Sequence, residues 1–399
     1  MRSNSESFVL RGARLVLPHA SIDADLLVEE GRIGRIFERA PEDSQSIGEA
    51  LNLNGLTLFP GFIDVHIHGA MGADVMEASA DELHTVARFL ARNGVTAWLP
   101  TLVPAPDEDY RRAVLAVEEL MCGQDQTTTP AAARSLGVHY EGPFVNEGQC
   151  GALRTKYFRV YDKRSALDFL PIVELEDAKR MITLAPEVDG GIELIRELRT
   201  RGFVVSIGHT RADVETLDQA FDAGARHLTH FMNAMSPLHH RAPGVVGWGL
   251  THDEVTCDVI ADGVHLDPLM LEIVLRCKTA KRTLLISDAV APAGLGDGEY
   301  GVWNETITVK DGRTSNERGS IAGSVITMRD AVRMIRNLKV SDQEIARMAS
   351  FNPAKLLGVE TECGTIEQGK RADLVALDEE GNARLTVIGG RIAFNDLQK

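Results

Sequence analysis

The middle of this chain alternates strand-like and helix-like segments, and this alternation limits its possible folds more than any other feature. Alternating strands and helices indicate a parallel sheet with crossover helices. Eight apolar segments between residues 61 and 290 each end in polar or glycine-containing sequence: GFIDVHIHG, VTAWLPTLV, LGVHYEGPF, MITLAPE, FVVSIGHT, HLTHFMNAM, CDVIADGVHL and TLLISDAV. Eight strands close a (β/α)₈ barrel. The sequence therefore predicts an α/β fold built on a TIM-like (β/α)₈ barrel.

The two ends of the chain carry a different pattern. The first 58 or so residues contain short β-type runs with a turn at Glu30-Gly31. The last 35 or so repeat that style, with turns at Glu380-Gly381 and Gly389-Gly390. We therefore expect both termini to form one small β-sandwich domain. The predicted boundaries are 1–58 and 357–399 for the β-sandwich and 59–356 for the barrel.

Local signals mark helices between the strands. Ser79 and Glu82 have the spacing of a capping box, which predicts a helix with one buried face formed by Leu83, Val86, Ala87, Leu90 and Ala91. After the fifth strand, Thr210 and Asp213 predict the start of another helix. That helix should end at Gly224 and bury Val214, Leu217 and Phe221.

The composition excludes several classes of function. The chain has 399 residues with 42 Lys and Arg against 58 Asp and Glu, a formal net charge of −16 that would repel a nucleic acid backbone. No stretch has the 18 or so continuous apolar residues of a membrane span, and the start lacks a secretory apolar region. Five scattered cysteines without a CxxC pair argue against a disulfide framework. We expect a cytoplasmic protein that acts on a small molecule, without a nucleic acid or membrane partner.

Side chains that could bind a metal ion follow five of the predicted strands. His66 and His68 end the first strand on the same face, because alternate residues of a strand point the same way. The third, fifth, sixth and eighth strands end in Glu141, His209, His230 and Asp288. Any one of these could be a packed histidine, a solvated carboxylate or a turn residue. Because barrel enzymes place working groups at the carboxyl ends of their strands, the six together predict a metal centre.

Taken together, the motifs resemble those of the N-acetylglucosamine-6-phosphate deacetylases of the amidohydrolase superfamily, over essentially the whole chain. HxH alone is typical only of the superfamily. More specific are EGPF at 141–144, THFMNAM at 229–235 and ADGVH at 261–265, supported by GHT at 208–210, SDA at 287–289 and GSIAGS at 319–324. The resemblance implies metal-dependent hydrolysis of the acetamide of N-acetylglucosamine 6-phosphate to glucosamine 6-phosphate and acetate.

The resemblance also implies roles for individual residues. It implies metal ligands at Glu141, His209 and His230, and a general base and acid at Asp288. Residues that would contact the phosphorylated sugar or lie over it are Asn233, Ala234, Arg241, His265, Ile321, Ala322 and Gly323. Arg241 and His265 would bind the phosphate, in part across the interface of a homodimer.

One position departs from the family pattern. Ala152 and Leu153 are expected near the acetyl group of the substrate, where the family typically has a polar residue, often histidine, in place of Leu153. Leucine can neither donate a hydrogen bond nor titrate, so either the metal alone polarises the carbonyl or the substrate differs from the usual one. The alternatives left open are N-acetylgalactosamine 6-phosphate, an N-acylated amino acid and a non-catalytic role.

The number and identity of the metal ions are also open at this stage. Some members of the family replace both histidines of HxH and hold one ion, whereas this chain has both His66 and His68. A second ion bridged by Glu141 is therefore an alternative to a single ion. We expect zinc, although the same donors also accept iron, manganese or cobalt.

Overall fold

The computed structural model describes residues 7–38, 49–124, 126, 129–162, 167–303 and 305–397. Its strands form a sheet at the chain termini, a parallel barrel and two smaller sheets. The N-terminal part of the terminal sheet contains β1 (Phe8–Val16), β2 (Ser21–Glu29), β3 (Arg32–Phe37), β4 (Glu49–Asn52) and β5 (Thr57–Pro60).

All eight predicted barrel strands are present, and successive strands pair in parallel in chain order. They are β6 (Phe62–Ile67), β9 (Val95–Leu102), β11 (Gly137–Glu141), β12 (Lys179–Leu184), β13 (Val204–Ile207), β14 (His227–Leu228), β15 (Thr256–Ile260) and β16 (Thr283–Ile286). Short accessory strands are β7 (Gly69–Ala70), β8 (Ala73–Asp74) and β10 (Arg134–Ser135). The predicted (β/α)₈ architecture is confirmed.

The barrel closes where β6 meets β16, and side chains take part in the closure. The backbone N–H of Asp288 donates to the carbonyl of His66 at 3.0 Å. The hydroxyl of Ser287 donates to the buried carboxylate of Asp64 at 2.5 Å. Burial raises the pKa of Asp64 to about 7, although hydrogen bonds from Ser287 and His66 oppose that shift. The seam thus fixes the ends of both strands beside the candidate ligands.

Helices follow most of the barrel strands: α1 (Ala80–Arg92), α2 (Asp107–Gln124), α3 (Gly191–Thr200), α4 (Val214–Ala223), α5 (Gly244–Thr251), α6 (Pro268–Arg282), α7 (Met328–Asn337), α8 (Asp342–Ala346) and α9 (Asn352–Leu356). In α1 the capping box of Ser79 and Glu82 is present, and the five predicted apolar residues are its buried face. Among the described residues no helix combines the length and apolarity needed to cross a membrane.

Helix α4 differs from its prediction at the start. Its N-cap is Asp213, which accepts a hydrogen bond from the backbone of Thr216 at 2.9 Å. Thr210 does not cap it, because its hydroxyl donates instead to Glu187 at 2.6 Å. Helix α4 therefore begins at Val214, which lies on the solvent side of the first turn and is exposed. Leu217 is buried as predicted.

A three-stranded antiparallel sheet between β16 and α7 was not predicted. It consists of β17 (Gly298–Val302), β18 (Glu305–Lys310) and β19 (Arg313–Asn316). The guanidinium of Arg318 donates to the carbonyl of Ala152 at 3.1 Å, and that of Arg154 donates to the carbonyl of Trp303 at 3.4 Å. These contacts hold the inserted sheet against the loop that follows β11.

The last strands of the chain complete the terminal sheet. They are β20 (Leu374–Leu377), β21 (Ala383–Ile388) and β22 (Arg391–Asn395). Strand β20 pairs antiparallel with β5, so both termini share one eight-stranded sheet. The predicted Glu30-Gly31 turn is present with φ of 50° and 78°, the positive values of a tight hairpin turn. The sheet has its own apolar core, which includes Leu10, Leu26, Leu58, Leu374 and Leu385.

Candidate metal centre and substrate cleft

The carboxyl ends of the barrel strands bring the predicted ligands together around Glu141. Its Oε1 lies 2.9 Å from Nε2 of His209 and 3.0 Å from Nε2 of His230. On the other side, Oε1 lies 3.6 Å from Nε2 of His66, and Oε2 lies 3.4 Å from Nε2 of His68. All five residues are buried. Glu141 is therefore shared by two groups of three donors, one with His66 and His68 and one with His209 and His230.

The spacing of the imidazoles tests whether these donors fit a metal ion. The Nε2 atoms of His66 and His68 are 3.2 Å apart, and those of His209 and His230 are 3.1 Å apart. Two neutral rings cannot direct bare lone pairs at one another over this distance without a proton or cation between them. Tetrahedral zinc with Zn–N bonds of 2.0–2.1 Å places two nitrogens about 3.3 Å apart. The donor set fits a divalent metal ion.

Contacts on the far side of the rings orient them. Nδ1 of His209 lies 2.7 Å from the carbonyl of Gln149, and Nδ1 of His68 lies 3.2 Å from that of Thr101. A proton on Nδ1 leaves the lone pair on Nε2, which faces Glu141 in both cases. Behind His230, the carboxylate of Asp258 accepts a hydrogen bond from its backbone N–H.

The buried charges of the cluster perturb one another. Burial acts to lower the pKa of His68, but Asp288 and Glu141 outweigh it and raise that pKa to about 9. His230 behaves in the same way, with Glu141 the main opposing group, and its pKa also rises to about 9. Burial holds the pKa of His66 well below its usual value. Burial would raise the pKa of Glu141, yet the surrounding histidines hold it well below its usual range. Binding of a cation by this cluster is therefore coupled to the release of protons.

Several residues of the centre have left-handed backbone conformations. The φ angles are 48° at His209, 33° at His230 and 51° at Asp288, with 49° at the neighbouring Ala234. Such conformations cost about 1–3 kcal/mol each for residues with a side chain and persist where the surroundings impose them. Here the turn after each strand redirects the side chain toward Glu141.

The donors open into a cleft that most of the predicted substrate-contacting residues also line. Asp288 faces it, with Oδ1 3.4 Å from Nε2 of His66 and 3.2 Å from Nε2 of His68. Other predicted residues that line it are Ala152, Leu153, Asn233, Ala234, His265, Ile321 and Gly323. Ala322 is buried behind this wall. Arg241 does not line the cleft: it is exposed before α5, with Nη1 2.8 Å from Nε2 of His240.

Two residues of the site had no predicted role. Asp262 accepts from Nδ1 of His265 at 2.7 Å, and hydrogen bonds from His265 and Val264 hold its pKa below the usual value although burial opposes this. Asp262 lies within the ADGVH motif, so it could have been found there. Trp303 lines the cleft from the inserted sheet, and its ring centre lies 5.4 Å from that of His68, edge to face. Nothing in the surrounding sequence indicates that Trp303 reaches the barrel.

Comparison with known proteins agrees with this geometry. The model of the amidohydrolase family matches residues 57–393. The chain belongs to the amidohydrolase family. The resemblance deduced from its motifs is thereby confirmed, and so is the barrel that this family shares with the structure described above.

Individual relatives match this amidohydrolase over nearly its full length. It is 35% identical to N-acetylglucosamine-6-phosphate deacetylase of Vibrio furnissii, over 99% of this chain and 97% of the relative. It is 37% identical to N-acetylgalactosamine-6-phosphate deacetylase of Escherichia coli O157:H7, over 96% and 99%. Among solved structures, it superposes with a TM-score of 0.87 and 28% identity on a mutant N-acetyl-D-glucosamine-6-phosphate deacetylase from Mycobacterium smegmatis in complex with N-acetyl-D-glucosamine-6-phosphate, covering 98% and 100%.

Proposed function

We propose that this amidohydrolase removes the acetyl group of N-acetylglucosamine 6-phosphate, giving glucosamine 6-phosphate and acetate. The observation that carries the proposal is the shared Glu141 centre, which opens into the same cleft as the carboxylate of Asp288. Amide hydrolysis at neutral pH needs an activated nucleophile and a group that moves protons. The full-length relatives named for this reaction support the choice of substrate.

Within this proposal, Glu141, His209 and His230 would hold one divalent ion, and His66 and His68 would hold a second one with Glu141. Zinc is our choice, because imidazole and carboxylate donors suit it. When bound, the metal supplies Lewis-acid polarisation of a carbonyl and lowers the pKa of water towards about 7. The chain's own contribution is to fix these donors in a buried, preorganised cluster: Gln149 and Thr101 orient the rings of His209 and His68, and Asp258 holds the backbone of His230.

Asp288 is the proposed general base and acid. Its side chain is 10% exposed, so it reaches the cleft while its backbone is fixed in the barrel seam. As a carboxylate it takes a proton from the attacking water, and it then gives that proton to the departing amine. Oδ1 lies within 3.4 Å of Nε2 of both His66 and His68, so the carboxylate stands directly beside these candidate metal donors.

The proposed phosphate site is formed by His265 together with Asn233 and the backbone of Ala234. Asp262 lies 2.7 Å from Nδ1 of His265 and orients the ring, so that Nε2 is the ring nitrogen that we assign to the phosphate. Arg241 is exposed and does not line the cleft of its own chain, so we propose that it reaches the phosphate of a second copy in a homodimer. A planar guanidinium suits bidentate binding of phosphate.

The acetyl end of the cleft is apolar. Leu153 is 4% exposed and lines the cleft, as does Trp303 on the side of His68. Neither Leu153 nor the neighbouring Ala152 offers a side-chain donor to the carbonyl. Neither residue can therefore polarise the carbonyl, which a bound metal ion would have to do, and the two apolar walls favour a small acyl group such as acetyl.

N-Acetylgalactosamine 6-phosphate is the second candidate substrate. The 37% identity to an N-acetylgalactosamine-6-phosphate deacetylase is the observation that favours it. The two sugars differ only in the configuration of one hydroxyl, at carbon 4. The reaction and the assignments above are unchanged in either case.

An acetate-release assay on a panel of substrates tests the proposal. The panel contains both N-acetylhexosamine 6-phosphates, the two unphosphorylated sugars and an N-acetylated amino acid, with metal content measured on the same protein prepared without chelator. We expect one to two equivalents of divalent metal and the highest kcat/KM for N-acetylglucosamine 6-phosphate. Equal turnover of the phosphorylated and unphosphorylated sugars would contradict the proposed substrate, and full activity of metal-free protein would contradict the mechanism. We also propose a cytoplasmic location. Fractionation of cells that produce the protein, followed by detection of the protein in each fraction, tests it.

A further inference from the structure

A second cavity lies at the opposite end of the barrel from the metal centre. Its walls include Arg226, Thr256 and Arg282, which stand at or just before the amino ends of β14, β15 and β16. Asp288, by contrast, follows the carboxyl end of β16. Because a strand advances about 3.3 Å per residue, the six positions from Arg282 to Asp288 separate the two sites by about 20 Å. We call this second site, with a volume of about 420 Å³, the basal cavity.

The basal cavity concentrates positive charge in a protein that is otherwise acidic. Among the residues that the structure describes, Glu254 is the one carboxylate in its lining, whereas six cationic side chains line it: Arg199, Arg226, Lys281, Arg282, Arg347 and Lys355. The chain as a whole has 42 cationic and 58 acidic residues, so the sign of the charge in the cavity is opposite to that of the whole protein. Within the part of the chain that the structure describes, none of the six forms an ion pair with a carboxylate. Six positive charges and one negative charge leave the lining with an excess of five positive charges, so Glu254 offsets the cations only in part.

Three of the arginines are already held in place. Nη1 of Arg199 donates to a backbone carbonyl at 2.8 Å, and Nη1 of Arg226 donates to another at 3.0 Å. The guanidinium of Arg347 lies 5.0 Å from the ring centre of Phe351. A guanidinium has five N–H donors, so these contacts fix the groups and leave other donors for a ligand. Side chains fixed in this way lose less entropy when an anion binds.

The remaining wall of the basal cavity is apolar. It is formed by Val204, Val205, Phe351 and Leu356. A cavity that combines an apolar wall with several converging cations suits a small organic molecule with anionic groups better than it suits a bare ion. Arginine forks match the geometry of phosphate. We infer that the basal cavity binds a small metabolite that carries at least two negative charges as phosphate.

A pair of matched triple variants tests this inference. The basal variant is Lys281→Gln with Arg282→Gln and Lys355→Gln, and the control is Arg14→Gln with Arg92→Gln and Arg111→Gln. The control removes the same charge from exposed residues outside the cavity. The probe is fructose 1,6-bisphosphate, titrated calorimetrically into the metal-loaded protein at low and physiological salt. Melting temperatures of both variants establish that they fold.

We expect the Kd of the probe to rise at least about tenfold in the basal variant and less than about twofold in the control, because only the former loses charge-assisted contacts. The kcat and KM for deacetylation should be unchanged in both, since none of the six residues lines the catalytic cleft. An unchanged Kd in the basal variant would place the probe elsewhere and overturn the inference. An equal loss of affinity for the probe in both variants would show that the cavity is only a non-specific basic surface. Displacement of the probe by a short oligonucleotide of equal charge would show the same.

Discussion

At the carboxyl ends of β13, β14 and β16 the chain buries its charged side chains, whereas at the amino ends of the same strands it leaves them open to solvent. His209, His230 and Asp288 are buried and have left-handed backbone conformations; the two histidines lie 3.1 Å apart at Nε2, and Asp288 lies within 3.4 Å of His66 and His68. Lys281 and Lys355, at the other end, are exposed and unpaired among the described residues. A buried charge without its partner costs several kcal/mol, whereas a solvated one costs little. Substitutions at the carboxyl ends of the strands should therefore change catalysis, whereas substitutions at the amino ends should change only the affinity for an anion.

The largest effect should come from Asp288→Asn at the buried end. Asparagine keeps the size of the side chain and the backbone bond to His66 but cannot accept a proton, so kcat should fall about 100- to 10,000-fold. Metal content and melting temperature should stay close to those of the wild type. Turnover within about twofold of wild type would remove Asp288 from the mechanism.

Replacing both His66 and His68 with Asn should separate the two halves of the metal centre. Glu141, His209 and His230 remain, so the variant should lose about one equivalent of metal and keep the other. Elemental analysis of dialysed protein measures this directly. An unchanged stoichiometry would mean that the HxH histidines are not ligands in this chain.

Arg241→Ala tests whether this exposed cation binds the substrate's phosphate in the cleft of a second copy of the chain. The KM for N-acetylglucosamine 6-phosphate should rise about 10- to 100-fold, because the phosphate loses a charge-assisted contact. The unphosphorylated sugar should be affected little, which makes it the internal control. An equal loss of kcat/KM for both sugars would show that Arg241 is structural. If Arg241 acts across a dimer, mixing this variant with the Asp288→Asn variant should restore some activity, because a mixed dimer then contains one site with both side chains.

Trp303→Ala removes the wall that the inserted sheet contributes to the cleft. We expect an increase of a few-fold in KM and a relative gain for N-propionyl over N-acetyl substrates, since the variant enlarges the acyl side of the cleft. The ratio of kcat/KM for the two acyl groups is the measurement. Trp303→Phe is the conservative control and should keep the wild-type ratio.

The smallest of these effects should come from neutralising the cations at the amino ends of the barrel strands, and it concerns stability. In the triple variant of Lys281, Arg282 and Lys355, the free energy of unfolding should change by no more than about 0.5 kcal/mol per substitution, because surface charges rarely contribute more. Urea unfolding at low salt should show a slight gain, since like charges are removed. A loss above about 3 kcal/mol would mean that these cations support the fold, and the contrast between the two ends would fail.

Much of this architecture could be predicted because its signals are local. Most barrel strands are mainly apolar and end in turn-forming residues, and the capping box of Ser79 and Glu82 defines the start of α1 within the printed sequence. The ligands could be found because the barrel places strand ends side by side. The inserted sheet was missed because GEYGV and RTSN are too polar and glycine-rich to favour strands on their own. The basal cavity was missed because its cations come from separate segments, and each alone is an ordinary solvated charge.

The seam between β6 and β16 affects the order in which the site is assembled while the chain is synthesised. Glu141, His209 and His230 leave the ribosome well before Asp288, whose backbone completes the closure by bonding to His66. Among the residues assigned to the proposed site, Asp288 therefore follows the metal donors in synthesis, and it takes its place only when the last barrel strand docks against the first. Completion of the proposed catalytic site thus coincides with completion of the barrel, because a chain that ends before β16 lacks Asp288 altogether.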